Sequence, residues 1–170
     1  MLDRWSDFFT LTGSAGATLL GLLFVVVTLG TNLSISRKLD VTHAVLTPAL
    51  YSFAGVLAQS MVALTPWTSS LPSGVIFVLL GIVGLIYRIN AVLRRRSLNL
   101  RAIQRTIDRI FHNLVPIVAS LTLIAGGAGM TVGAAFAPYA IAGSGALLLF
   151  SGIYRTWGET VALIGTDAES

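Results

Sequence analysis

The stretch WSDFFTLTGSAGATLLGLLFVVVTLG, residues 5–30, decides the fold of this protein. Its residues 8–30 include no charged side chain, and a helix needs about 20 apolar residues to cross the hydrocarbon core of a bilayer. The run is longer than the apolar region of a secretory signal peptide, follows no basic segment and has no clear cleavage site before the next charged loop. We therefore expect residues 8–30 to form a retained membrane-spanning helix.

The composition of the whole chain agrees with a bilayer as its solvent. Of 170 residues, 55% are hydrophobic and only 11% are charged, and the mean hydropathy is +0.84, whereas soluble domains carry about 25% charged residues. This length fits a single membrane domain over residues 1–170 and leaves no room for a large soluble domain. Cysteine is absent, which excludes disulfides, thiolate metal sites and cysteine nucleophiles.

Four more apolar runs follow the first one, at residues 44–66, 74–93, 114–136 and 139–157. The short uncharged turn between the second and third runs predicts that their helices are antiparallel neighbours. Ala137 and Pro138 mark a bend between the last two runs, although one apolar stretch divided by a single proline also fits two tilted or partial helices, which leaves four spans as the alternative. The predicted fold class is all-α integral membrane, a bundle of five transmembrane helices.

Basic residues cluster on one side of this predicted topology. Ten of them share that side: Arg37, Lys38, Arg88, Arg94, Arg95, Arg96, Arg101, Arg105, Arg109 and Arg155. Only Arg4 lies on the other side. Since cytoplasmic loops carry the excess of Lys and Arg, we expect the N-terminus outside and the C-terminus in the cytoplasm. Trp and Tyr prefer the headgroup level, and the predicted span ends agree: Trp5, Trp67 and Tyr139 are outer, and Tyr87, Tyr154 and Trp157 are inner.

Residues 97–113 have the pattern of a basic amphipathic cytoplasmic helix. Its apolar members recur at helical spacing: Leu100, Ile103, Ile107, Ile110 and Leu114. Such a helix lies in the interface on anionic lipid, extends the fourth span as a docking surface, or only fixes the topology. The residues expected to contact anionic headgroups or a partner are Arg94, Arg95, Arg96, Arg101, Arg105 and Arg109. The formal charge of +4 therefore points to lipid rather than nucleic acid.

Small residues recur every few positions in the first and fourth runs. The predicted packing residues are Gly13, Ala17 and Gly21 in the first run and Gly126, Gly129 and Gly133 in the fourth. Small residues at such spacing let two membrane helices approach closely. The contact lies either within one subunit or between subunits.

The second run is the most polar one, and Thr47, Tyr51, Gln59 and Ser60 are its candidate functional side chains. A glutamine near the bilayer centre is costly if it faces lipid. Gln59 therefore either donates an interhelical hydrogen bond or belongs with the other three to the lining of a pore or ligand cavity.

No Asp, Glu, Lys, Arg or His falls in the middle of a predicted span, although such residues mark proton relays and ion pathways. We expect no catalytic residue, metal or cofactor. His43 and His112 are isolated, and an enzyme that uses them with Asp108 and Glu159 would need these groups to converge.

The segment from Trp5 to Gly30 resembles the start of a group of small bacterial inner-membrane proteins of no assigned activity. They begin with Trp, an acidic residue and paired aromatics, followed by a Gly/Ala-rich helix that ends in Gly-Leu-Leu-Phe-Val. This resemblance implies a location in the bacterial plasma membrane. We expect a non-enzymatic protein that acts by helix association, as a homo-oligomer or as an accessory subunit of a membrane complex. The alternative is a channel or small-solute carrier lined by the polar face of the second helix.

Overall fold

A computed structural model of the protein describes residues 2–32, 39–97 and 114–166. The helices are α1 (Ser6–Asn32), α2 (Leu39–Leu64), α3 (Ser70–Ser97), α4 (Val115–Thr131) and α5 (Ala137–Thr166), and a 3-10 turn (Asp3–Trp5) precedes α1. These described residues include no strand, so the predicted all-α class is confirmed. The predicted basic helix at 97–113 lies outside the described residues, apart from Ser97, which ends α3.

Among the described residues, three helices are long and apolar enough to cross a membrane, over Ser6–Val26, Ser70–Asn90 and Ala137–Thr156. The apolar stretches Pro48–Leu64 in α2 and Val115–Thr131 in α4 are shorter. Large aliphatic side chains cover the outer surface of α3: Leu71, Val75, Leu79, Val83 and Ile86 are each at least half exposed. Soluble monomers rarely expose contiguous apolar surface of this extent, whereas lipid tails solvate it. The fold is compatible with an integral membrane protein.

The helices alternate in direction along the chain. Gly13 near the start of α1 meets Ser60 near the end of α2, and Gly74 at the start of α3 meets Thr131 at the end of α4. Gly126 near the end of α4 in turn meets Ile141 near the start of α5. Helices α2, α5, α4 and α3 form a closed ring of contacts, and α1 packs on the outside of α2. Consequently α1, α3 and α5 run parallel, and α2 and α4 return between them.

The turn between α4 and α5 lies at residues 132–136, earlier than the bend predicted at Ala137 and Pro138. Gly133 adopts a φ of +74° there, a left-handed conformation that glycine enters without steric cost. The Ala134 amide closes the turn by donating to the Gly129 carbonyl over 2.8 Å. Pro138 instead lies in the first turn of α5, where a proline needs no amide hydrogen. The fourth helix therefore ends before residue 136, and the fifth begins before residue 139.

The other predicted ends also differ from the structure. Helix α3 continues through Arg94, Arg95 and Arg96 to Ser97 instead of ending near residue 93, and α5 continues past residue 157 to Thr166. Hydropathy marks where a helix leaves the hydrocarbon, but the backbone keeps its helical hydrogen bonds into the polar region. The helices are therefore longer than their apolar runs.

Candidate functional site

A seam of glycines joins α3 to α4, and it was not among the predicted packing residues. A Cβ atom at Gly127 would lie only 2.8 Å from the Gly74 carbonyl oxygen and 2.8 Å from the Val78 nitrogen. A Cβ atom at Gly81 would lie 3.0 Å from the Ser120 carbonyl oxygen. Gly74 and Gly81 are seven residues apart, which is about two helical turns, and this spacing was the signal in the sequence. Here two backbones touch, the arrangement that small residues permit in membranes.

Helix α1 packs on α2 through Gly13 and its neighbour on the same face, Gly16. A Cβ atom at Gly13 would lie 2.9 Å from the Ser60 Cβ, and one at Gly16 would lie 3.2 Å from the Phe53 carbonyl oxygen. The other two predicted packing residues of α1 lie elsewhere. Ala17 and Gly21 are exposed, and a Cβ atom at Gly21 would meet nothing within 4 Å.

Ala17 and Gly21 belong to an exposed stripe on α1 that we call the small face. Its members share small side chains and exposure to the outside of the bundle: Thr10, Ser14, Ala17, Thr18 and Gly21. The Thr18 hydroxyl donates to the Ser14 carbonyl oxygen over 2.8 Å, so it needs no partner on another helix. The outer surface of α3, by contrast, is covered by large aliphatic side chains. The small face is therefore shaped for close contact with a backbone, but no helix of the described chain covers it.

The predicted packing residues of α4 separate into two groups. Gly126 and Gly129 are buried against α5 and the turn before it, where Cβ atoms would lie 2.8 Å from Ile141 Cγ1 and 2.9 Å from Phe136 Cζ. Gly133 is not on a packing face, because it forms the turn after α4 and a Cβ atom there would meet nothing within 4 Å. Its role is to adopt the positive φ that the turn requires.

Gln59 lies inside the bundle at the contact between α2 and α5. Its side chain is 1% exposed. The Nε2 group donates to the Ile141 carbonyl oxygen, and the Oε1 atom accepts from the Ser144 hydroxyl over 3.4 Å. Gly145 makes room for the amide, since a Cβ atom there would lie 3.3 Å from Nε2. This geometry corresponds to the interhelical hydrogen bond, the first of the two interpretations of this glutamine.

Two other predicted pore residues, Ser60 and Tyr51, contact different helices. Ser60 is buried against α1, with its hydroxyl oxygen 3.3 Å from that of Thr12. Tyr51 is exposed and stacks on Tyr87 of α3, with ring centroids 3.8 Å apart. Thr47 belongs to α2, and its side chain lies outside the described part of the structure. The structure brings Gln59 and Ser60 into two separate helix contacts rather than onto one cavity wall.

An apolar groove of about 220 Å³ opens between α1, α2 and α5. Its lining comprises Leu19, Leu22, Leu23, Val26, Phe53, Ile153 and Thr156. None of the predicted pore residues lines it. Its apolar walls fit a lipid acyl chain better than an ion or a polar solute.

The two ends of the bundle differ in chemistry. At one end Trp5 packs edge-on against Tyr139, with ring centroids 4.9 Å apart. At the other end Arg155 of α5 is 7% exposed and Arg88 of α3 is half-buried. Arg94, Arg95 and Arg96 continue α3 beyond this end, with side chains outside the described part, and Arg101, Arg105 and Arg109 lie outside the described residues altogether. Two of the ten basic residues predicted on this side, Arg88 and Arg155, therefore lie within the bundle, which the charge pattern of the sequence does not reveal.

No protein-family model, curated protein or solved structure matches this chain. The functional interpretation therefore rests on the residues of the chain itself.

Proposed function

We propose that this chain is a non-enzymatic bacterial inner-membrane protein of five spans that acts through helix association, as a homo-oligomer or as an accessory subunit of a larger membrane assembly. The observation that supports it is the small face of α1, which is exposed and has no partner helix among the described residues. Lipid tails solvate a leucine as well as a protein interior does, so helix association in a bilayer depends on close van der Waals packing. A small face gains more from a second helix than from lipid.

Small residues have the same use inside the bundle. Glycines there let helices approach backbone to backbone, as Gly16 does against α2 and Gly127 does against α3. The small face likewise consists of small residues, on the exposed side of α1. Leu11 and Leu22 flank it and are 70% and 56% exposed, so a docked helix would also meet apolar edges.

The alternation of the helices supports five spans. If α1, α3 and α5 each cross the membrane in the same direction, α2 and α4 must cross back to connect them. Helix α2 has 26 residues and α4 has 17, lengths of about 39 Å and 25 Å against a hydrocarbon core of about 30 Å. The shorter α4 is enclosed by α3 and α5, and a short helix is accommodated by local thinning of the bilayer.

The distribution of basic residues supports an N-terminus outside and a C-terminus in the cytoplasm. In this orientation Trp5 and Tyr139 meet at the outer headgroups, and Arg88 and Arg155 lie near the inner ones. The chain has no cysteine, so single cysteines report topology without background. We expect a membrane-impermeant maleimide to label Ser69→Cys and Ala135→Cys in intact cells, and to label Ser170→Cys only after lysis. Labelling of Ser170→Cys in intact cells would contradict this orientation.

Association is tested by Gly21→Val, with Gly143→Val on α5 as the matched control. Neither glycine has a neighbour within 4 Å of an added Cβ, so neither substitution places that atom in contact with another residue of the chain. Overpacking a close contact costs about 1–3 kcal/mol, which weakens association by about tenfold to a hundredfold. The measurement is the mass of the purified particle by native mass spectrometry, and subunit counting by photobleaching in liposomes.

We expect Gly21→Val to shift the particle toward the monomer, or to release a co-purifying subunit, and Gly143→Val to leave the mass unchanged. A wild-type particle that is monomeric and alone when taken from native membranes would refute the proposal. Equal masses for wild type and Gly21→Val would exclude the small face as the contact.

A further inference from the structure

Two arginines from different helices lie at the same level of the bundle. Arg88 follows Tyr87, whose ring stacks on Tyr51 of α2. Arg155 lies one turn beyond Gly152, which packs so closely on Phe53 of α2 that an added Cβ would lie 2.5 Å from the ring. Residues 51 and 53 are only about 3 Å apart along the axis of α2, so the two arginines lie beside that helix at a similar depth in the bundle. They are close enough for their positive charges to repel each other.

Both side chains reach into the protein rather than out to solvent. Arg155 is almost fully buried, and its Nε atom is shielded from solvent, as is that of Arg88. The Arg88 Nε donates no hydrogen bond to any described residue. A buried charge is costly unless it is paired, and a donor without an acceptor adds the cost of its desolvation.

The described part of the chain offers Arg88 no carboxylate at this end. Asp7 is the one acidic residue whose side chain the structure describes, and it lies at the opposite end of the bundle. Glu159 follows Arg155 by four residues on α5, outside the described side chains. An ion pair at that spacing would neutralise only one of two positive charges. The remaining charge can be neutralised by an anion that the described residues do not supply.

We propose that Arg88 and Arg155 form a binding site for a phosphate group within the inner end of the bundle. Guanidinium groups present planar forks of donors that match phosphate oxygens, and they remain charged at any physiological pH. Basic pockets between membrane helices on the cytoplasmic side are suited to the headgroup of an anionic lipid. A soluble phosphate from the cytoplasm has the same chemistry. The site differs from the predicted surface contacts of Arg94, Arg95 and Arg96, because its charges lie inside the bundle.

The test uses the full chain, delipidated in a neutral maltoside detergent. Its thermal unfolding is followed in sodium phosphate against sodium chloride of equal ionic strength. It is also followed with dihexanoyl phosphatidylglycerol against dihexanoyl phosphatidylcholine. Stabilisation by inorganic phosphate shows that a soluble phosphate is sufficient. Stabilisation by phosphatidylglycerol, but not by inorganic phosphate or phosphatidylcholine, identifies an anionic lipid headgroup as the ligand. A binding site raises the unfolding temperature with ligand concentration, so the absence of any rise with either probe overturns the proposal.

Arg88→Gln removes one charge and keeps a polar side chain, and Arg4→Gln removes an exposed charge at the opposite end of the bundle. We expect Arg88→Gln to weaken the apparent affinity by about tenfold to a hundredfold, the scale of a charge-assisted hydrogen bond, and Arg4→Gln to retain it. Equal weakening in both variants would indicate general attraction to the positive charge of the chain and refute the site.

Two further measurements separate binding from a structural role. Without ligand, Arg88→Gln should unfold at the same temperature as wild type or higher, because it removes a repelled, buried charge. A lower temperature would mean that Arg88 already has its partner within the chain. Arg88→Lys keeps the charge but lacks the Nε donor, and we expect it to bind more weakly than wild type and more tightly than Arg88→Gln. Wild-type affinity in Arg88→Gln would also refute the proposal.

Discussion

Substituting Gly127 by alanine probes the contact on which the α3–α4 pair depends. The new Cβ would lie 2.8 Å from the Gly74 carbonyl oxygen and 2.8 Å from the Val78 nitrogen, whereas ordinary contact begins at 3.4 Å. Both neighbours are backbone atoms, which cannot rotate away as a side chain does. The two helices must therefore separate by about 0.6 Å, and a gap of that size forfeits a quarter to a half of the dispersion attraction of each atom pair along the seam.

The expected cost of this separation is about 1–3 kcal/mol, as for other overpacked cores. Alanine offsets part of it, because it is favoured over glycine in a helix by about 0.5–1 kcal/mol. The net loss of stability relative to wild type is about 0–2.5 kcal/mol, and the loss relative to an alanine at a site without neighbours is about 1–3 kcal/mol. Gly143→Ala on α5 is the matched control, since its Cβ would meet nothing within 4 Å, and we expect it to be neutral or stabilising.

The assay is a titration of the protein in maltoside micelles with dodecyl sulfate. Unfolding is followed by helical circular dichroism and by the fluorescence of the three tryptophans. The difference in unfolding free energy between the two alanine variants removes the effect of helix propensity. If Gly127→Ala proved as stable as Gly143→Ala, the backbone contact between α3 and α4 would be wrong.

Two more substitutions test local features of the structure. Gln59→Leu removes the amide that joins α2 to Ile141 and Ser144, and we expect a loss of about 0.6–2 kcal/mol in the same titration, while Met61→Leu, which changes an exposed position of the same helix, has no effect. Gly133→Ala places a side chain at a φ of +74° and should cost about 1–2 kcal/mol. Wild-type stability of either Gln59→Leu or Gly133→Ala would refute the geometry assigned to that residue.

Much of the architecture is legible in the sequence. Residues 8–30 predict an apolar helix because a bilayer requires length and hydropathy, and both are properties of a continuous run of residues. The tight turn at Trp67 likewise predicts an antiparallel pair, and Tyr51 stacked on Tyr87 agrees with that direction. The all-α fold class can therefore be predicted without knowing which side chains are in contact.

The packing partners depend on information that a single chain does not display. Gly13 and Gly21 look equivalent in the sequence, but Gly13 meets Ser60 and Gly21 meets nothing within the chain. The rotation of α1 about its axis decides between them. In a soluble protein the polar face of the helix would indicate that rotation. A membrane helix is apolar all round, so its hydropathy pattern does not indicate which face packs inside the bundle.

The amino-acid sequence by itself determined the apolar runs, the asymmetry of basic residues and the absence of ionisable groups at the centre of the predicted spans. Tertiary structure alone decided that Gln59 bonds to α5, that glycines of α3 and α4 touch, and that Arg88 and Arg155 lie at a similar depth in the bundle. Hydropathy and charge act on each segment separately, through the solvent around it. A contact between residues 82 positions apart, such as that of Gln59 with Ile141, exists only after the helices have fixed their rotation and order in the bundle.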